Sequence, residues 1–123
     1  MQRMLGRLAP YIYGALRIVA GILFAIHGAQ KLFGLFGGKQ MPLMTQIGLA
    51  GVIELVCGLM IAIGILTSIA AFIASGEMAS AYFIAHAPRG LNPVQNDGEL
   101  AVIYCFLFLY IAARGTVALG ARR

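Results

Sequence analysis

Residues 11–33 read Tyr11-Ile-Tyr-Gly14-Ala-Leu-Arg17-Ile-Val-Ala-Gly21-Ile-Leu-Phe-Ala-Ile-His27-Gly-Ala-Gln-Lys31-Leu-Phe33. At 1.5 Å per residue such a run makes a helix of about 35 Å, enough to cross a hydrocarbon core of about 30 Å. Arg3 and Arg7 precede it, as in a leader peptide. The apolar run is too long for a leader core, however, and Arg17 interrupts it, so we read a retained span. Gly14, Gly21 and Gly28 recur every seven residues and fall on one side of the helix. In lipid, helices associate by contact packing, and a seam of small residues lets a neighbour approach closely.

The rest of the chain has the same character. Of its 123 residues 61% are hydrophobic and only 11% are charged, against about 25% charged in a soluble domain. A soluble domain this small exposes much of its surface and needs charge to cover it. Composition therefore excludes an ordinary soluble enzyme, a disordered chain and a disulfide scaffold, and leaves an integral membrane protein. The net charge is +5, but the Lys and Arg residues are scattered, with no basic patch for nucleic acid. They serve orientation instead.

Three further spans can be placed, at 44–65, 68–87 and 99–119. Gly34, Gly37, Gly38 and Pro42 separate the first two, and Thr67-Ser68 makes a tight second turn with Ser68 as N-cap. The longest polar connection runs from Pro88 to Gly98, where Asn96 and Glu99 have the spacing of a capping box. Gly51, Gly58 and Ala62 form a small-residue seam on the second span; Ala70, Ala74, Ala81 and Ala85 do so on the third. The expected fold is an all-α membrane protein, one domain over 1–123, with four transmembrane helices in an antiparallel up-down-up-down bundle. Arg3, Arg7, Arg122 and Arg123 lie on the terminal side, against Lys31, Lys39 and Arg89 on the other. Both termini are accordingly assigned to the cytoplasm.

Four charges fall inside the spans, where each costs about 2.5–3.5 kcal/mol on insertion scales. Glu54 and Glu77 lie about 15 Å deep, and Arg17 and Arg114 about 6–9 Å inside the inner boundary. Two acids and two bases balance, so a buried network joining the four helices is expected. It would fix helix register, or place a mid-membrane carboxylate to exchange protons or hold a polar ligand head. Nearer the outer end lie His27, Gln30, Lys31, His86 and Glu99. These are interfacial residues wetted by headgroups, or else His27, Lys31 or His86 donates to a quinone carbonyl at the membrane boundary. Ligation of haem by His27 and His86 is disfavoured, because two histidines at one depth arise readily by chance. No metal-ligand spacing is present. Cys57 and Cys105 differ too much in depth to form a disulfide.

Taken together these motifs resemble the DoxX family of small four-helix membrane proteins over nearly the full length. The first span carries Arg17-Ile-Val-Ala-Gly21 and His27-Gly-Ala-Gln-Lys31-Leu-Phe-Gly34. The second carries Glu54-Leu-Val-Cys-Gly58 with Gly64, and Asn96-Asp-Gly98-Glu99 with Tyr104 opens the fourth. The chain departs from the family at its end, where Gly115-Thr-Val continues to Leu119-Gly-Ala-Arg-Arg123. The resemblance implies a cytoplasmic-membrane protein associated with quinone-linked redox complexes, an accessory subunit rather than a stand-alone enzyme. It would meet the lipid bilayer, other membrane or redox subunits, or further copies of itself. The alternatives are a proton-coupled carrier of a small molecule, working through Glu54 and Glu77, and a purely structural subunit.

Overall fold

The computed structural model describes residues 1–121. Arg122 and Arg123, which enter the orientation count, lie outside the described residues. The described chain is helical, with α1 Gln2–Phe33, α2 Gln46–Ile63, α3 Thr67–Ala81 and α4 Glu99–Arg114. A π-helical turn, Tyr82–His86, and a single 3-10 turn, Ala87–Arg89, extend α3.

Helix boundaries follow from local chemistry. The first helix begins nine residues earlier than the apolar run and passes through Pro10; residues 1–9 are all exposed. Gly34, at φ 67°, ends it by taking the left-handed conformation and donating its N–H to Gln30 O at 3.0 Å. Thr45 opens α2 as N-cap, its hydroxyl accepting from Gly48 N at 3.1 Å. Gly64 closes α2 at φ 89° with a 2.8 Å bond to Met60 O. The turn to α3 then differs from expectation. Leu66, not Ser68, is the N-cap residue, at φ 48°, and Ser68 lies inside the first turn.

The third helix widens before it stops. Pro88 has no N–H for a regular helical bond, and Ala87 N–H reaches back to Tyr82 O. The wider turn rotates the face that follows, so Ala70 and Ala74 are buried while Ala85 is exposed. Asn96 is not a capping-box residue: Gly98 precedes α4 and no side chain caps it. Asn96 is instead buried, accepting from Gly98 N at 2.9 Å and donating to Gly90 O at 2.6 Å and Tyr82 Oη at 3.2 Å. It holds the long loop against the end of α3.

The fourth helix is shorter than the expected 99–119, because Gly115 leaves helical geometry at φ 77° and ψ −154°. Residues 115–121 fold back on the bundle. Thr116 and Thr67 hydroxyls bond at 2.9 Å, and Ala121 N donates to Ile63 O at 2.8 Å. Three helical segments, Gln2–Phe33, Gln46–Ile63 and Thr67–Arg89, are long and apolar enough to cross a membrane. The 16 residues of α4 fall short of the roughly 20 that a perpendicular crossing takes.

Packing follows the small-residue seams. A Cβ on Gly21 would stand 2.6 Å from Gly58 O and Ala62 N; one on Gly58 would stand 2.6 Å from Gly21 O and Ala25 N. Seven residues on, Gly28 meets Gly51 and Leu55. As α1 advances its partner residues on α2 recede, so the two run in opposite directions with backbones in contact. The second pair is α3 with α4, joined by Thr67–Thr116 at one end and by Ser75 Oγ donating to Cys105 O at 2.7 Å further along. Phe24 bridges the pairs, its ring 4.7 Å from Phe108 and 5.6 Å from Tyr104. Outward-facing Ile22, Leu23, Val56, Ile69, Phe72 and Phe106 are exposed, an apolar perimeter suited to lipid rather than water.

Candidate functional site: a cavity with a charged floor

A cavity of about 790 Å³ opens between the helices at the end where α1 finishes. This lies within the 300–1,000 Å³ or so typical of small-molecule sites. Five of the residues singled out in the sequence, His27, Lys31, Glu54, Glu77 and His86, line it. Phe24, Ile53, Ile73, Met78 and Tyr104 supply apolar wall, and Gln46 and Asp97 stand at the mouth.

The floor is an ion pair. Lys31, in the last turn of α1, donates to Glu54 Oε2 at 2.5 Å; Glu54 is 0% exposed and the Lys31 side chain 32%. The small-residue seam brings them together: the close approach of α1 and α2 sets the Lys31 Cβ against Gly51, about one turn from Glu54 and within reach of the lysine side chain. Glu77 of α3 lies against Glu54, near enough for the two carboxyl groups to repel as anions or share a hydrogen bond. Oε1 of Glu54 and Oε1 of Glu77 are both buried and have no other hydrogen-bond partner among the described residues. The His27 ring stands edge-on to Tyr104 at 6.2 Å, with Nδ1 2.8 Å from Leu23 O. A carbonyl only accepts, so Nδ1 is the donor and Nε2 is left as an acceptor when the ring is neutral. His86 sits at the rim, its Nδ1 3.1 Å from Asn96 O and 3.2 Å from Arg89 Nη2.

Arg17 and Arg114 do not join this cluster, which corrects the expected four-helix Arg/Glu network. Arg17 is fully buried at the middle of α1, about three to four turns from Lys31. Its Nη1 donates to Ile61 O and, at 3.1 Å, to Ala62 O; its Nη2 reaches Ala118 O at 3.0 Å and Leu119 O at 2.6 Å. The antiparallel register puts Arg17 beside the end of α2. Unpaired helix-end carbonyls lie closer there than Glu54, which is at least seven residues, or about 10 Å, back along α2. Arg114 is exposed, with its guanidinium 5.9 Å from the centre of the Tyr13 ring. Among the outer polar residues, Glu99 is exposed and lines no part of the cavity, and Gln30 donates to Phe36 O at 3.0 Å in the following loop.

Gln46, Ser80 and Asp97 line the cavity without having been singled out. Gln46 and Ser80 are single polar residues in apolar surroundings and carried no spacing signal, and Asp97 was quoted only within a loop motif. Among the described residues no three His, Cys, Asp or Glu converge as metal ligands. Cys57 and Cys105 are both free thiols.

Fold and cavity together define a polytopic helical membrane protein with a polar-floored pocket between its helices. The family model for DoxX matches residues 14–87, and the chain belongs to the DoxX family. That match takes in Arg17, His27, Lys31, Glu54, Glu77 and His86. The chain is also similar to an uncharacterized protein of Haemophilus influenzae, with 40% identity over 116 residues, covering 89% of this chain and 87% of that one. No solved structure matches.

Proposed function

We propose that this protein is a small accessory subunit of a membrane redox system, and that its cavity holds the head of a quinone-type amphiphile. The observation that carries this is the Lys31–Glu54–Glu77 floor beneath an apolar-walled cavity. Lipid-soluble rings with polar substituents match such a lining: apolar walls for the ring and tail, a few convergent polar groups for the head. Lys31 keeps two N–H bonds beyond the one given to Glu54, enough to hold a carbonyl. The adjacent carboxyl groups can take a proton from the head or return one to it. Electrons come from or go to a partner subunit.

In this reading the four helices run up-down-up-down in the cytoplasmic membrane, with both termini in the cytoplasm. The opposed directions of α1 with α2 and of α3 with α4 support the up-down order, and the Lys and Arg count carries the orientation. The same carboxyl pair would serve a proton-coupled carrier, but four short helices give little room for alternating access within one chain.

The test is lipid extraction of protein purified in mild detergent, with quinones quantified per mole of chain. Near-stoichiometric quinone that falls at least about tenfold in a Lys31→Met/Glu54→Gln double variant supports the reading. Wild-type protein that carries no more quinone than the double variant and binds none when it is added would overturn it.

A further inference from the structure

The cavity also carries information about which form of its ligand it prefers. The buried, unpartnered atoms at its floor are acceptors: Glu54 Oε1 and Glu77 Oε1. His27 adds a third acceptor at Nε2 when neutral, since its Nδ1 proton is committed to Leu23 O. The Lys31 ammonium gives one hydrogen to Glu54 Oε2, and its side chain is 32% exposed. A buried acceptor without a donor is costly, and a bond made to a charged group is stronger than a neutral one. The two carboxyl oxygens thus need a hydrogen, supplied either by a proton held between them or by a donor on the ligand.

We propose that the cavity recognises its ligand as a hydrogen-bond donor, so that for a quinone-type molecule it selects the reduced dihydroxy form. An O–H of that head donates to the Glu54 and Glu77 oxygens, and the ring lies between Phe24 and Met78 toward Tyr104. The oxidised form has only acceptors. It can use the free hydrogens of Lys31 but brings no hydrogen to the carboxyl oxygens. This inference rests on the reading of the cavity as a quinone-type site and specifies its chemistry.

Glu77→Gln gives the sharpest test. Its amide N–H₂ can donate to Glu54 Oε1, so the floor is answered from within and the fold is kept. The experiment titrates detergent-solubilised protein, under strict exclusion of oxygen, with a short-chain alkyl benzoquinone and separately with the hydroquinone made from it. The expected result is at least about tenfold tighter binding of the hydroquinone by wild type. In Glu77→Gln that preference shrinks to within about threefold, chiefly through loss of hydroquinone affinity. Equal affinity for both forms in wild type, or an undiminished preference in Glu77→Gln, overturns the inference and leaves the site reading standing. Binding of neither form overturns the site reading itself.

Discussion

The Lys31–Glu54 pair is the most exacting contact in the molecule. A carboxylate taken wholly out of contact with solvent is tolerable only with a cation on it, and removing that cation costs about 3–5 kcal/mol. Lys31→Met should therefore lower the thermal midpoint in detergent more than Lys31→Met combined with Glu54→Gln, in which no net charge is stranded. Equal losses in the single and double variants would mean the pair does not bear on stability. Arg17 and Glu54 touch different partners, so Arg17→Met and Glu54→Gln should add, within about 0.5 kcal/mol. Arg17 was legible as a buried charge in need of partners, and so was Glu54. The identity of those partners was not, because in a bundle an arginine finds helix-end carbonyls as readily as carboxylates. Which lies nearer depends on register, and register is a tertiary property. Lys31 read as an interfacial residue for the same reason: only the close approach of α1 and α2 puts a mid-span carboxylate within its reach.

At the scale of the helix, the seams are the device that sets that register. Gly21 and Gly58 meet backbone to backbone, so a methyl group there has no flexible side chain to displace. Gly21→Ala should cost about 1–3 kcal/mol of stability by forcing α1 from α2. Gly76→Ala, in an exposed helical turn where a Cβ meets nothing within 4 Å, should instead stabilise by about 0.5–1 kcal/mol. The pair is read by thermal unfolding of both variants, and destabilisation of similar size in each would refute the seam. The seven-residue glycine spacing made α1 and α2 readable from sequence. The ends of α3 and α4 were less so. Pro88 signalled a stop but not the widened turn before it, and the apolar Val117, Ala118 and Leu119 look helical although Gly115 turns the chain back. The Ala118 and Leu119 carbonyls are needed by Arg17, a demand that no local pattern encodes.

For the whole molecule, the division of labour runs along the bundle axis. One end is closed by Arg17, the Thr67–Thr116 bond and the returning chain 115–121. The other end is left open over Glu54 and Glu77. A rigid closed end lets the open end keep two unsatisfied carboxyl oxygens without loss of register, which suits a site that waits for a ligand. Composition revealed the membrane setting, and the residues singled out in the sequence include the ion pair, the second carboxyl and both histidines of the cavity lining. The cavity itself was not legible, since its lining comes from all four helices and the loop before α4, brought together only by the fold. Its occupant is the central claim. The most direct measurement is photolabelling of the protein in its native membrane with an azido-substituted quinone, followed by mass-spectrometric mapping of the labelled peptides. Label concentrated at Ile53–Glu54, Ile73–Met78 and Leu100–Tyr104, and lost in Lys31→Met/Glu54→Gln, is the predicted result. Label spread over the lipid-facing surface, indifferent to that double substitution, would contradict it.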